Sequence, residues 1–175
     1  MSQALELAHR LRAAIADERA LAAIASIPRE RFVPDRERGR AYDNVALPIA
    51  RGQTISQPLV VARMLELVAP GPGEKILDIG TGSGYHAALL ALLGGHVWTI
   101  ERQAELSELA RVAIESLGLD NVTLIVGDGW RGLPAQAPFD VINVAAAIDE
   151  TNLPLELEDQ LADGGRLVAP IGRGS

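Results

Sequence analysis

Apolar side chains recur at helical spacing through residues 2 to 26, with Leu7, Leu11, Ala14 and Ile15 on one face. Asp17 followed by Glu18 has the form of an N-cap and first turn, so two helices are expected there. Pro28 and Pro34 interrupt the pattern, and Arg36 to Arg40 read as a charged surface loop. The chain is then irregular from Ala41 until Pro58, which can start a helix over residues 59 to 69. Beyond it, short apolar runs alternate with amphipathic stretches. Strands are expected at Ile76 to Ile79, His96 to Glu101, Asn121 to Val126, Phe139 to Val144 and Arg166 to Ile171. Helices are expected at Ala87 to Leu93, 103 to 117 and Leu153 to Leu161, with Gly94-Gly95, Gly118 and Asp163-Gly164-Gly165 as stops. Such alternation implies α/β architecture, a doubly wound and mostly parallel sheet with right-handed crossovers. Residues 1–58 would form an N-terminal helical cap and loop on a core of 59–175, all one domain.

One junction carries chemistry. The run Ile76-Leu77-Asp78-Ile79 leads into Gly80-Thr81-Gly82-Ser83-Gly84-Tyr85 and then a helix. Glycines let the backbone turn tightly and approach a ligand, and the helix start offers unpaired N–H groups, so a nucleotide-like guest is expected. The dinucleotide pattern needs a small residue where Tyr85 stands, which weakens that reading. A Walker loop needs a lysine, and none follows Lys75. Glu101 closes the second strand about 20 residues past the loop, where a carboxylate can accept both hydroxyls of a ribose; its alternative is a helix N-cap.

Composition narrows the class. The 175 residues are 48% hydrophobic, enough for a real core, and the net charge of −7 disfavours general binding to nucleic acid or a membrane surface. With no cysteine there is no disulfide, zinc–thiolate cluster or thiol nucleophile, and no metal site is expected. The start lacks a cationic segment followed by an apolar run, and no stretch of about 18 apolar residues occurs, so a cytoplasmic location is expected. Trp130, after Gly127-Asp128-Gly129, could stack on a ligand or fill the core; the core is the favoured reading. Thr54 and Ser56 could cap the helix after Pro58 or serve a site, since a long irregular segment is often functional.

The spacing Asp78-x-Gly80-x-Gly82-x-Gly84 resembles motif I of the class I S-adenosylmethionine methyltransferases. Phe32-Val33-Pro34, Ala46-Leu47-Pro48-Ile49 and Gly52-Gln53-Thr54-Ile55-Ser56-Gln57-Pro58 precede it in the order seen in the protein-L-isoaspartate O-methyltransferase family. The segment from Gly52 to Pro58 is the most diagnostic, and the resemblance runs from about residue 28 to the end. It implies a Rossmann-like class I methyltransferase fold and S-adenosylmethionine as cofactor. Asp78, Gly80, Thr81, Gly82, Gly84, Tyr85, Glu101, Arg102, Asp128 and Gly129 would bind the cofactor, with Asp128 and Gly129 receiving the adenine. Ser56 would be catalytic, and Thr54, Ile55, Ser56 and Gln57 would hold the acceptor.

The implied reaction is protein repair: in-line methyl transfer from a sulfonium to the α-carboxylate of an L-isoaspartyl residue in damaged proteins and peptides. No general base is needed, because that carboxylate is already ionised. At Asn143 to Ala147 the chain lacks the Asn/Asp-Pro-Pro-aromatic turn of enzymes that methylate amino groups, which argues against an amine acceptor. Two other readings remain at this stage: a methyltransferase for another peptide or small-molecule carboxylate, and a cofactor-binding module without transferase activity. Two departures from the family are visible. Ala50 stands where glycine is usual, and the chain stops after the fifth strand without the final antiparallel strand pair. The second departure predicts an exposed edge at Leu167-Val168-Ala169 and self-association through it.

Overall fold

The computed structural model describes residues 2–146 and 155–172. Ala147, the first two residues of the helix expected from Leu153, and Arg173-Gly174-Ser175 lie outside the described residues.

Two N-terminal helices in contact with each other come first, α1 (Gln3–Leu11) and α2 (Glu18–Ser26). Asp17 caps α2 as its sequence position predicts, accepting from the N–H groups of Arg19 and Ala20. A two-stranded antiparallel pair follows, β1 (Leu47–Pro48) with β2 (Thr54–Ile55), and then α3 (Pro58–Val68). The main sheet holds β3 (Ile76–Ile79), β4 (Val97–Glu101), β5 (Val122–Val126), β6 (Phe139–Val144) and β7 (Leu161–Val168) in the order β5-β4-β3-β6-β7, all parallel. Between them run α4 (Tyr85–Leu93) and α5 (Ala104–Glu115). The central β3 pairs with β4 on one side and β6 on the other, so strand order reverses beside it. Ligands of open α/β sheets sit at the carboxyl ends of the strands at such a reversal.

Alternation along the strands sorts the core onto both faces. Ile76, Val97 and Val141 join the cluster under the N-terminal helices and α4, whereas Leu77, Ile79, Ile100, Ile142 and Val144 pack with Phe139 and Leu157 on the other face. Asp78 shares the face of Ile76, which places its carboxylate beneath α4.

Several expectations change. The irregular segment before Pro58 contains the β1–β2 pair, the one antiparallel pairing among the described residues. Leu155–Gln160 forms a 3-10 helix rather than the end of an α-helix, and β7 begins earlier than expected, at Leu161. The turn read at Asp163-Gly164-Gly165 survives as an irregularity inside β7, where the pairing jumps from Phe139 with Leu161 to Val141 with Arg166. Trp130 is 44% exposed, so it does not fill the core: it sits in a short 3-10 turn after β5 that turns the ring outward.

Gly84 shows how tightly α4 is set on α5. Its φ is +87°, and a Cβ there would lie 2.9 Å from the Ala110 Cβ. Gly84→Ala therefore combines a left-handed backbone penalty with overpacking, and is expected to lower the unfolding free energy by about 2–4 kcal/mol in urea denaturation.

Candidate active site

The segment carrying Thr54 and Ser56 is held from three directions. Its backbone pairs with Leu47 and Pro48 through β2. The Asn44 side chain accepts from the Leu59 N–H at 3.0 Å and so caps the start of α3. Gln57 occupies the N-cap position without a side-chain bond, and neither Thr54 nor Ser56 spends its hydroxyl on the helix. The third tether is Arg29, fully buried, whose guanidinium donates to the carbonyls of Ala41 and Ser56, each at 2.8 Å. Its Cζ lies 4.8 Å from the centre of the Tyr85 ring, and burial lowers its pKa from the usual arginine value.

Ala50 adopts no positive φ; the turn between β1 and β2 places the left-handed conformation at Arg51 (φ 58°) and Gly52 (φ 68°) instead. An alanine is therefore accommodated at that position without backbone strain.

The glycine loop is fixed from beneath. Gly80 and Thr81 donate their N–H groups to the Ile100 carbonyl, and Gly82 donates to the Glu101 carboxylate at 2.9 Å. The other Glu101 oxygen accepts from the Gln103 N–H at 3.0 Å. Glu101 is nearly buried at the tip of β4 and forms no ion pair among the described residues. Each of its oxygens keeps a lone pair for a further donor.

Below the loop runs a buried chain of hydrogen bonds. The Thr99 hydroxyl donates to one Asp78 oxygen at 2.7 Å, so the Thr81 hydroxyl, 2.6 Å from Thr99, must be the donor in that pair. The Asn143 amide donates to the other Asp78 oxygen at 2.7 Å and faces His86 Nδ1 at 3.3 Å. Nδ1 is thus the accepting nitrogen, which leaves the proton on Nε2. Burial raises the Asp78 pKa to about 6 and lowers that of His86 to about 4. Asp78 is fully buried and does not line the cavity, so it supports the loop from below.

These shifts have a sign that can be tested. Between 3.8 and about 6 the folded protein holds the Asp78 proton more tightly than the unfolded chain, so this group makes stability fall as pH rises through that window. An Asp78→Asn variant loses that slope. Its stability relative to the parent is expected to improve steadily across the window when urea unfolding is followed against pH.

At the carboxyl ends of β3 and β6 the two halves meet around one cavity. Thr54, Ile55 and Ser56 line one side, Gly80, Thr81, Gly82 and Ser83 the other, and Val61, Tyr85, His86 and Ala145 complete the wall. Gln57, half-buried, adjoins it in sequence without lining it. Glu101, Arg102, Asp128 and Gly129 stand farther along the same edge, at the ends of β4 and β5. Arg102 and Asp128 are exposed, and Asp128 accepts from the Trp130 N–H at 3.0 Å. Gly129 is buried, and a Cβ on it would lie 2.6 Å from Ile79 Cγ2. The sequence reading omitted His86, Arg29 and Asn44. His86, the second residue after the glycine loop, was open to discovery from its place; nothing local marks the other two.

Comparison with known proteins identifies the family. The family model "Protein-L-isoaspartate(D-aspartate) O-methyltransferase (PCMT)" matches residues 2–175. A protein-L-isoaspartate O-methyltransferase of Koribacter versatilis is 56% identical over 158 residues, covering 90% of this chain and 70% of the relative. One from Aeromonas hydrophila is 52% identical, covering 90% and 76%. A solved protein-L-isoaspartate O-methyltransferase superposes with a TM-score of 0.84 at 32% identity, over 95% of this chain and 54% of that one, so the chain spans about half its length. A Plasmodium falciparum structure of the same family, in complex with S-adenosyl-L-homocysteine, gives a TM-score of 0.81 at 25% identity over 99% and 86%. The chain belongs to the protein-L-isoaspartate O-methyltransferase family, whose members are S-adenosylmethionine-dependent methyltransferases.

Proposed function

We propose that this chain methylates the α-carboxylate of L-isoaspartyl residues in damaged proteins and peptides, with Ser56 holding the acceptor at the carboxyl edge of the sheet. The observation that carries the reading is the shared cavity, in which Thr54, Ile55 and Ser56 face the glycine loop across one space.

The residues present fit S-adenosylmethionine. Glu101 is a nearly buried carboxylate with a free lone pair on each oxygen, suited to a pair of ribose hydroxyls. Gly80, Gly82 and Gly84 all have positive φ and leave the loop free of bulky side chains beside the cavity. Gly80 to Tyr85 would hold the amino-acid end, Glu101 and Arg102 the ribose, and Asp128 and Gly129 the adenine. Asp78 positions the loop through Thr99 and Thr81. When bound, the cofactor supplies an electrophilic methyl group.

The protein's remaining task is to hold a carboxylate in line and keep water away. The acceptor is ionised at neutral pH, and no proton has to be removed from it. Burying that anion is costly unless hydrogen-bond donors meet it. Ser56 supplies a hydroxyl that no helix cap consumes, with Thr54 beside it. Ile55 is buried and anchors the pair, while Gln57 leads into α3. Alignment of reactants can lower a barrier by roughly 7–11 kcal/mol, which makes the rigidity of this segment the main catalytic resource.

Ser56→Ala tests the assignment. Turnover on an isoaspartyl peptide is expected to fall about 10- to 100-fold, with S-adenosylmethionine affinity changed by less than about threefold. Equal losses in both would remove Ser56 from the acceptor site. The partner of the enzyme would be exposed, damaged segments of other proteins. Copies of the chain would also meet through β7, the edge of the sheet near Leu167 and Ala169; an invariant monomer in size-exclusion chromatography across concentrations would contradict that. No helix among the described residues is long and apolar enough to cross a membrane.

A further inference from the structure

His86 lines the same cavity as Ser56 and the glycine loop, yet the reaction as described gives it no task. It is 7% exposed, and its Nε2 has no hydrogen-bond partner among the described residues. An unsatisfied buried donor is rare in a folded protein and calls for a ligand to complete it. The direction of that donor follows from its neighbours. Asp78 accepts one hydrogen of the Asn143 amide, the second faces Nδ1 of His86, and the imidazole proton is left on Nε2.

We propose that His86 is a ligand-binding residue of this site, a neutral donor whose Nε2–H donates to a carboxylate oxygen of the ligand. Two carboxylates belong in the cavity under the functional reading on which this inference rests: that of the isoaspartyl acceptor and that of the cofactor's amino-acid end. The chemistry required of His86 is the same for both. It must donate without carrying a charge, because a cation here would compete for the acceptor anion and pull it away from alignment. Before a ligand enters, burial lowers the ring's pKa to about 4 and the imidazole is neutral. The hydrogen bond from Asn143 then links the donor to the network under the glycine loop, so ligand binding and loop position are coupled through Asp78.

The test compares the parent enzyme with His86→Leu, which fills the space without a donor, and His86→Gln, which restores one. Calorimetry measures binding of S-adenosylmethionine and of 5′-methylthioadenosine, which lacks the amino-acid end; steady-state assays give KM for an isoaspartyl peptide. If the cofactor's carboxylate is the ligand, His86→Leu weakens S-adenosylmethionine about tenfold or more and leaves methylthioadenosine unchanged. If the acceptor's carboxylate is the ligand, KM for the peptide rises about tenfold and both adenosyl ligands bind as before. In either case His86→Gln recovers most of the loss, to within about threefold of the parent. The proposal is overturned if His86→Leu leaves both quantities within about threefold, or if it weakens both adenosyl ligands equally with a lowered thermal midpoint, the mark of a structural role. Should the parent enzyme methylate no isoaspartyl peptide, the functional reading falls by itself. The comparison of the two adenosyl ligands would still decide whether His86 donates to the cofactor, and a His86→Leu variant that changes the affinity of both by the same factor, or of neither, would then overturn the inference.

Discussion

Glu101→Ala is expected to weaken S-adenosylmethionine binding about 100-fold or more, the largest loss of cofactor affinity from any single substitution in this site. Two effects add. The carboxylate is the acceptor for the N–H groups of Gly82 and Gln103, so its removal frees the glycine loop as well as the turn into α5. Its remaining lone pairs are the ones assigned to the ribose, and a hydrogen bond to a charged acceptor is worth about 1.5–3 kcal/mol. Glu101→Gln separates the contributions, because an amide keeps one accepting oxygen and loses the other. Its expected affinity lies between those of the parent and the alanine variant. Calorimetric titration checks both, and an alanine variant that binds within about threefold of the parent would remove Glu101 from the cofactor site.

Arg29→Met is expected to lower turnover more than about tenfold and the unfolding free energy by about 2–4 kcal/mol, although Arg29 lies behind the cavity wall and not on it. The guanidinium bridges Ala41 and Ser56 through their carbonyls and lies against the Tyr85 ring. Methionine fills much of the volume but donates nothing, leaving those carbonyls short of a partner and the Ser56 segment short of a tether. Lysine should recover little, since a single ammonium on a flexible stem cannot reproduce the planar fork that reaches two carbonyls at once. Cofactor affinity should change least, because Glu101 and the strand ends are untouched. An Arg29→Met enzyme with parental turnover would show that Ser56 is positioned by β2 alone.

These two residues also mark what the sequence could disclose. Glu101 was legible because its position depends on local features: a strand of alternating character and a count from the glycine loop. The sheet was legible for the same reason, and the glycine loop marked the edge at which the candidate site was expected. Arg29 was not, because a Pro-Arg-Glu sequence reads as a helix break with exposed charge. Its burial depends on Ala41, Ser56 and Tyr85, which lie 12 to 56 residues away.

Ser56 shows the same limit from the other side. A hydroxyl just before a helix is an N-cap by local rules, and it is released from that role only because Asn44 reaches the Leu59 N–H from 15 residues back. Trp130 was misplaced because a lone aromatic after a turn has no periodicity to reveal which way it faces. The segment at Leu155–Gln160 carries helical spacing yet forms a 3-10 turn, in which Gln160 bonds back to Arg131, Leu133 and Glu156. Tertiary contacts of that kind override a short periodic signal.

The central claim is that the cavity between Ser56 and the glycine loop places an isoaspartyl carboxylate for methyl transfer. The most direct measurement is transfer of a labelled methyl group from S-adenosylmethionine to two peptides that differ only in carrying L-isoaspartate or normal aspartate at one position. The account predicts label on the isoaspartyl peptide and none above background on its twin. Equal labelling of both peptides, or cofactor binding without label on either, would contradict it.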